Sequence, residues 1–327
     1  MPQQSNPDVS IIIPCYQQES YISDAINSAL NQSHSAVEVI VVNDGSTDSS
    51  GKIAQSFGDR IKYIEKENEG VSKTRNRGVS ESRGEYLIFL DGDDLLAQRA
   101  VEFHLTGMQE KEHRITLLGH SEFTTTPTSV PDSSPPKFHY EDALPKLIYS
   151  NYGPPAKFMC SRQNFTNVGG YGLKTWGCED WNLWTKIAFD GVDVARSETV
   201  GMYYRRGEEM RTSNHHAMLT SQCEHYQQIH NLVIQNTIHL SHWGEELLKA
   251  EERALRFLIA NKMPRNAIQQ IGRQMRSLNE LGIYNTDAKR LKAFLNRVLG
   301  SPTTQRLTLL KWAITDRQHL RRCRDIY

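Results

Sequence analysis

The first 90 residues alternate short apolar runs with longer segments in which apolar residues recur at helical spacing. The apolar runs are continuous and rich in β-branched residues, which is typical of strands that are buried on both faces of a parallel sheet. The pattern therefore predicts a βαβ series. The predicted strands are residues 9–14, 37–42, 61–65 and 86–90, and the predicted helices are 21–30, 49–57 and 72–82.

The pattern changes twice in the rest of the chain. Residues 124–136 are rich in Thr, Ser and Pro and predict a loop, because proline lacks the N–H that ladders and helices need. From about residue 217 strand patterns disappear and apolar residues follow helical stripes. We therefore predict an α/β domain over residues 1–216, with a mixed, mostly parallel sheet flanked by helices, and a smaller all-helical region over residues 217–327.

Composition places the chain among globular proteins, and its charge is divided unevenly. The 327 residues carry no net charge, but residues 245–327 hold 17 Lys and Arg against 8 Asp and Glu. The remainder is correspondingly acidic, which argues against nucleic-acid binding by the main domain. The basic helices are expected either to be simply solvated, or to contact an anionic lipid surface, an acidic partner or a second copy of the chain.

Targeting signals and cysteines suggest a compartment. No apolar run approaches the roughly 20 residues of a membrane-spanning helix, and the first residues lack the pattern of a secretory signal. Five cysteines without a CxxC spacing favour neither a disulfide framework nor a zinc site. We expect a cytoplasmic protein, with peripheral attachment to the inner face of the membrane as one use for the basic helices.

The ends of the first two predicted strands carry polar and aromatic residues. Pro14 ends the first strand, followed by Tyr16 and Glu19, and ligands of parallel sheets bind outside the carboxyl ends of the strands. After the second strand, a turn and a helix cap explain Asp48 but leave Asp44 unexplained. The Asp44 carboxylate is well placed to accept hydrogen bonds from a base imide or a ribose hydroxyl.

The third predicted helix opens with three cations in five residues, Lys73, Arg75 and Arg77. Cations in a first turn oppose the helix dipole. The pattern therefore predicts an anion at this position, and a phosphate is the natural candidate.

The fourth predicted strand leads into Asp91, Asp93 and Asp94, three carboxylates within four residues. Their mutual repulsion favours a cation between them, and oxygen ligands select a hard divalent ion, Mg²⁺ or Mn²⁺. Asp94 alternatively caps a helix that starts near Leu95.

Four segments together resemble the family 2 glycosyltransferases with a GT-A fold. They are Ser-Ile-Ile-Ile-Pro-Cys-Tyr from Ser10, Val-Asn-Asp-Gly-Ser-Thr-Asp from Val42, Thr-Arg-Asn-Arg-Gly from Thr74 and Asp-Gly-Asp-Asp from Asp91. They stand in the family's order and spacing, and the resemblance covers roughly residues 9–204. It implies a nucleoside pocket and a metal site with the following members: Pro14, Tyr16, Glu19 and Asp44 around the nucleoside, Arg75 on the nucleotide, Asp91 facing ribose and metal, and Asp93 on the metal.

A fifth segment, Glu179-Asp180-Trp181, resembles the family's Glu-Asp motif at the acceptor site. The resemblance implies that Asp180, with Glu179 beside it, is the catalytic base; acidic residues also simply favour a first helical turn. Trp176 and Trp181 are candidates to stack on the acceptor sugar.

The family's metal-binding histidine has no counterpart at the expected position. His215 and His216 are the nearest candidates for it, while Arg206 or Arg211 is a candidate contact for the diphosphate.

The resemblance implies an inverting enzyme that moves one sugar from a nucleotide diphosphate sugar, with UDP as the expected nucleotide, to a hydroxyl of a glycan, a lipid-linked or another acceptor. A nucleotidyltransferase and a non-catalytic module that binds sugar nucleotides or glycans are the alternatives. A nucleotidyltransferase would leave the segment at Asp180 without a role. Dinucleotide-binding and P-loop enzymes are excluded, because the chain lacks both glycine signatures.

Overall fold

The computed structural model describes residues 7–109, 115–125, 134–141, 147, 151–172 and 177–207, with 221, 225, 228 and 229. The chain divides after Ser221 into two units, and nearly all described residues belong to the first. The predicted helical stripes, Trp176, Arg211, His215 and His216 lie outside the described residues, and so does most of the predicted loop. No helix in the described ranges is long and apolar enough to cross a membrane.

The first unit is built on one mixed sheet with helices on its faces, so the predicted α/β fold is confirmed. Its strands in the described part of the chain are β1 (Val9–Cys15), β2 (Val37–Asn43), β3 (Lys62–Glu65), β4 (Tyr86–Phe89), β5 (Leu95–Leu96), β6 (Ile115–Phe123), β7 (His139–Glu141), β8 (Phe158–Ser161) and β9 (Val194–Arg205). Its helices there are α1 (Ile22–Leu30), α2 (Ser50–Gln55), α3 (Val71–Ser80), α4 (Ala100–Met108), α5 (Arg162–Asn167) and α6 (Glu179–Phe189), with two 3₁₀ turns at Gly58–Arg60 and Pro155–Lys157.

The strands follow the order β3-β2-β1-β4-β8-β6-β9-β5, and β7 pairs with β9. The first four strands in this order pair in parallel. The sheet turns antiparallel at β8, which pairs with β4 and β6, and β6 then runs parallel to β9. The carboxyl ends of β1, β2 and β4 therefore lie along one edge.

The hydrophobic core explains why the elements form where the pattern predicts them. Every residue of β1 is buried, as expected for a central strand covered on both faces. Helix α1 buries Ile22, Ala25, Ile26 and Ala29, which is the i, i+3, i+4, i+7 stripe of an amphipathic helix. Burying each large aliphatic side chain contributes about 1.5–3 kcal/mol.

The prediction of a helix from Leu95 with Asp94 as its cap is wrong. Leu95 and Leu96 form β5, whose partners in β9 are Tyr203 and Met202, and α4 begins only at Ala100. Both leucines are buried, and besides the pairing with β9 the Leu96 N–H donates to the Ser28 hydroxyl at 3.1 Å. The predicted helix 49–57 also ends earlier, at Gln55.

Candidate active site

Arg75 is the centre of a cluster of charged side chains at the carboxyl edge of the sheet. Its guanidinium donates to Asp91 Oδ1 at 2.7 Å, to Asp180 Oδ1 at 2.9 Å and to Glu179 Oε1 at 3.1 Å. Only 2% of the side chain is exposed. The arginine therefore joins the loop after β4 to the first turn of α6, two segments that are about 90 residues apart in the sequence.

The Asp180 carboxyl lies at the start of α6 and is only 15% exposed. Burial raises its pKa to about 7, and the charges of Glu179 and Asp91 act in the same direction while Arg75 opposes them. A carboxyl group with a pKa near neutrality is suited to accept a proton in catalysis.

Glu179 uses both oxygens within the protein. One accepts from Arg75 and the other from the backbone N–H of Gly177 at 2.6 Å, and the side chain is 7% exposed. Its position ahead of Asp180 therefore suits it to hold the arginine and the start of α6 in place. A direct catalytic role for Glu179 stays a prediction.

The acidic loop after β4 concentrates negative charge. Burial, and then the charges of Asp93 and Asp91, hold the pKa of Asp94 well above its usual range. The loop is fixed from β9, because the Arg205 backbone N–H donates to Asp94 at 2.9 Å and its Nε donates to the Asp93 carbonyl at 2.8 Å.

The donor set of this loop fits a hard divalent cation. Asp91 Oδ1 is bonded to Arg75, yet 29% of the Asp91 side chain is exposed, and the Asp93 side chain is also partly exposed. No group of three or more His, Cys, Asp or Glu side chains in the described residues is arranged to hold a metal unaided. Two carboxylates are nevertheless enough for Mg²⁺, which keeps waters and takes its remaining ligands from substrate phosphates.

The loop after β1 and the loop after β2 bind each other through reciprocal hydrogen bonds. Glu19 accepts from the Ser49 N–H at the start of α2, and Asp48 accepts from the Glu19 N–H. Gln17, whose φ is +54°, accepts from the N–H groups of Thr47 and Asp48. Glu19 thus stabilises the first turn of α2, and its predicted contact with a nucleoside stays a prediction.

The other residues predicted for the nucleoside pocket lie at the same edge. Pro14 is buried in β1 opposite Val42, and Tyr16 is 39% exposed. Asp44 is buried and accepts from Lys66 and from the N–H groups of Glu69 and Gly70. Burial acts to raise the pKa of Asp44, but these hydrogen bonds outweigh it and lower the pKa.

Gly92, in the acidic loop, lies directly against Gln18 from the loop after β1. A Cβ atom at Gly92 would stand 1.8 Å from Gln18 Oε1, and that oxygen is itself buried without a hydrogen-bond partner among the described residues. The two loops therefore occupy adjoining space, and a side chain at residue 92 would require the Gln18 side chain to move.

Two sequence interpretations are corrected by the side-chain partners. The cations of α3 do not require a bound anion, because Lys73 pairs with Glu69 and Arg77 with Glu81, four residues away in each case. Trp181 is buried, and its indole N–H donates to the Leu147 carbonyl. A face of Trp181 is therefore not presented for stacking on a sugar.

Three residues near the site have roles that the sequence did not assign to them. Arg205 holds the acidic loop. Tyr171 packs beneath Arg75 with its ring centre 5.1 Å from the guanidinium carbon. Tyr204 lies near the acidic loop, and its pKa is raised first by burial and then by the charge of Asp94. The Gly-Gly-Tyr segment at residues 169–171, shortly before α6, is the sequence feature that could have pointed to Tyr171. Arg206 pairs with Glu122.

Two protein-family models match most of the first unit. Residues 10–167 match the family described as "Glycosyl transferase family 2", and residues 138–209 match the family described as "N-terminal domain of galactosyltransferase". The two matches together include the strand-end segments, Arg75 and Asp180.

Glycosyltransferases of similar sequence match this chain over part of their own length. The chain is 33% identical over 192 residues to an uncharacterized glycosyltransferase of Rickettsia conorii, covering 55% of this chain and 31% of the relative. It is 42% identical over 97 residues to the glycosyltransferase GlyA of Streptococcus pneumoniae, covering 29% of this chain and 14% of the relative. The matched segments thus span about a third or less of these relatives.

Solved structures share the fold at low sequence identity. The crystal structure of Staphylococcus aureus TarS 1–349 in complex with UDP-GlcNAc matches with a TM-score of 0.68 and 16% identity, over 95% of this chain and 92% of that one. The mannosyltransferase PcManGT of Pyrobaculum calidifontis, in complex with GDP-Man and Mn²⁺, matches with a TM-score of 0.53 and 15% identity, over 96% and 87%. With the shared fold and the family match in agreement, residues 10–167 form a domain of the family 2 glycosyltransferases.

Proposed function

We propose that the protein transfers one sugar, with inversion, from a nucleotide diphosphate sugar to an acceptor hydroxyl, with Asp180 as the base. The observation that carries the proposal is the contact of Arg75 with both Asp91 and Asp180. One buried side chain thereby joins the loop suited to the donor diphosphate to the carboxyl group suited to the acceptor. The family membership and the pKa of about 7 for Asp180 support the same assignment.

The proposed step is a single displacement. The acceptor oxygen forms a bond to the anomeric carbon while the bond from that carbon to the diphosphate oxygen breaks, and the nucleoside diphosphate leaves with the electron pair. The acceptor proton passes to the Asp180 carboxylate. Arg75 keeps Asp180 oriented during this transfer, and the shielded site strengthens the interaction between them.

Asp91 and Asp93 are the residues that would hold a divalent ion, Mn²⁺ or Mg²⁺. When bound, such an ion offsets the charge that develops on the departing diphosphate. The partly exposed Asp91 carboxylate suits this role, since it faces both Arg75 and solvent.

The donor is proposed to be UDP-linked, with the acceptor a hydroxyl of a glycan or a lipid-linked compound. The match to a TarS structure that holds UDP-GlcNAc makes that sugar nucleotide the first donor to test. GDP-mannose is the appropriate comparison, because PcManGT was solved with it.

The test is the Asp180→Asn variant, assayed for nucleoside diphosphate release with Mn²⁺ and for donor binding by calorimetry. The amide keeps the shape of the carboxyl group but cannot accept the proton, so the turnover number is expected to fall about 10²- to 10⁴-fold while donor affinity is retained.

Asp190→Asn is the matched control, because Asp190 lies at the opposite end of α6, where its side chain accepts a hydrogen bond from Asn167 at 3.3 Å. It is expected to keep full activity. Asp180→Asn with more than about a tenth of wild-type turnover would exclude Asp180 as the base. Absence of turnover by the wild type, with sugar nucleotides bound, would favour a non-catalytic binding module, and diphosphate release from a nucleoside triphosphate would favour a nucleotidyltransferase.

A further inference from the structure

Tyr171 carries a buried hydroxyl group that the proposed reaction has not yet used. The residue is 4% exposed, and the hydroxyl makes no hydrogen bond of good geometry in the described part of the chain. Buried polar groups are nearly always paired, since leaving one unpaired costs about 1–3 kcal/mol. An unpaired tyrosine hydroxyl at the edge of a catalytic cluster therefore calls for a function.

The ring of Tyr171 is held in one place by its neighbours. It packs edge-on against Phe89 with ring centres 5.0 Å apart and against Phe165 at 5.9 Å. The Arg75 guanidinium lies over its face at 5.1 Å. These contacts leave the hydroxyl little freedom to seek another partner.

The backbone of Tyr171 is also fixed. The Asn76 side chain donates to the Tyr171 carbonyl at 2.8 Å and accepts from its N–H at 3.0 Å. Lys186, from α6, donates to the carbonyls of Val168 and Gly170. The turn before Tyr171 depends on Gly170, whose φ is +64° and where a Cβ would approach Asn76 Oδ1 to 2.9 Å. Helices α3 and α6 thus both hold this turn.

Arg75 brings Tyr171 and Asp180 together, because its guanidinium lies over the Tyr171 ring and donates to Asp180 Oδ1 at 2.9 Å. Burial and then the charge of Asp180 hold the pKa of Tyr171 well above its usual range, and Tyr171 in turn acts to lower the pKa of Asp180. The other charged groups that act on Asp180 are Arg75 from α3, Asp91 from the loop after β4 and Glu179 from its own helix.

We propose that Tyr171 is a positioning residue for the base, and that its hydroxyl donates a hydrogen bond to the ionised Asp180 carboxylate. This inference rests on the proposed function, because it requires Asp180 to act as the base. The bond directs the remaining oxygen lone pairs of Asp180 toward the acceptor and favours the ionised form of the carboxyl group, since donation to a carboxylate stabilises its charge.

The test is Tyr171→Phe, compared with the wild type by the pH dependence of the turnover number. Phenylalanine keeps the ring against Phe89 and Arg75 and removes only the donor. Without the donor the ionised carboxylate is less stable, so the acidic limb of the profile is expected to move up by about one pH unit. The Michaelis constant for the donor is expected to stay within about twofold, because the proposed role of Tyr171 involves the base alone.

Tyr152→Phe is the matched control, because Tyr152 is also largely buried but packs on Phe158. It is expected to leave the profile unchanged. Asn76→Ala keeps the hydroxyl but releases the Tyr171 backbone, and it is expected to move the limb in the same direction by a smaller amount. This second variant serves as the test if Tyr171→Phe does not fold.

If Tyr171→Phe and Asn76→Ala fold and the acidic limb of their pH profiles stays at the wild-type position, the proposed role of Tyr171 is wrong. That result would leave Asp180 as the base if Asp180→Asn is inactive. If Asp180→Asn retains activity, the proposed function fails first, and the comparison of pH profiles no longer concerns the base.

Discussion

At the scale of single residues, Arg75 is the side chain on which the site depends most. It is almost completely buried and pairs with three carboxylates from two segments. A buried charge that loses its partner is costly, so the stability of the fold and the geometry of the site are linked at this residue.

We expect Arg75→Lys to lower both activity and stability although it keeps the charge. A lysine ammonium lacks the planar fork of an arginine and cannot reach all three carboxylates at once. Turnover is expected to fall at least about tenfold, and the free energy of unfolding by about 1.5–3 kcal/mol, the loss for hydrogen bonds to buried charged groups. Urea unfolding and steady-state kinetics measure the two effects.

Arg77→Lys is the control on the same helix, because Arg77 is 54% exposed and pairs with Glu81, one helical turn away. It is expected to change the unfolding free energy by less than about 0.5 kcal/mol. Equal effects of the two variants would contradict the central position of Arg75.

The residue types of the site could be predicted from the sequence, but their contacts could not. Asp91, Asp93 and Asp180 are conspicuous because carboxylates after a strand or in a first turn suit metal binding and proton transfer. The family resemblance assigns Arg75 to the nucleotide, whereas its partners include Glu179, 104 residues away. Only the packing of α3 against the start of α6 reveals this, and hydrophobic periodicity carries no information about it.

At the scale of secondary structure, the end of β9 determines the shape of the acidic loop. Arg205 holds Asp93 and Asp94 through its side chain and backbone, and its guanidinium lies 4.5 Å from the ring centres of Tyr21 and Phe123. The arginine is therefore a rigid link between β9 and the candidate metal site.

We expect Arg205→Ala to raise the Mn²⁺ concentration needed for half-maximal activity without moving the pH profile of activity. The acidic loop loses a support that orients its carboxylates, and loss of such supporting contacts typically weakens metal binding about 10- to 100-fold. Titration of activity with Mn²⁺ measures the change.

Arg196→Ala serves as the control on the same strand, since Arg196 pairs with the exposed Glu198 and lies near the other end of β9. It should leave the Mn²⁺ titration unchanged. A wild-type titration curve for Arg205→Ala would show that the loop keeps its form without the arginine.

Secondary structure was predicted best for segments with several periods of apolar residues. It was predicted least well where pairing with a distant strand determines the backbone conformation. Strands β1, β2 and β4 and helices α1 and α3 lie within one or two residues of their predicted bounds. Strand β5 was missed because two residues are too few to show an alternating pattern of apolar and polar positions. Its extended form depends on a partner strand more than 100 residues later in the chain.

At the scale of the whole molecule, buried histidine makes stability depend on pH. His104 in α4 is fully buried, one ring nitrogen contacts the Thr116 hydroxyl at 2.7 Å, and the other has no partner in the described ranges. Burial lowers the pKa of His104 to about 3, against about 6.5 in an unfolded chain.

We expect the folded state to lose stability through His104 as the pH falls from about 6.5 toward 3. In this window the unfolded chain binds a proton that the folded chain excludes, so the free energy of unfolding declines by about 1.4 kcal/mol per pH unit. His104→Leu removes that titration and should reduce the slope by this amount, whatever its effect at pH 7. Urea unfolding between pH 4 and 7 measures it.

His139→Leu is the comparison, because His139 is exposed on β7, and its slope should match the wild type. The same slope in His104→Leu as in the wild type would mean that the buried imidazole is not excluded from protonation.

The contact between Gln18 and Gly92 bears on how the sequences of relatives can differ. A Cβ at position 92 would overlap the Gln18 carboxamide where it now lies, so a side chain at position 92 requires the Gln18 side chain to move or to be shorter. Among homologues that keep this arrangement of loops, a side chain at position 92 should be accompanied by a smaller residue at position 18. The two positions, 74 residues apart, are thus expected to evolve as a pair.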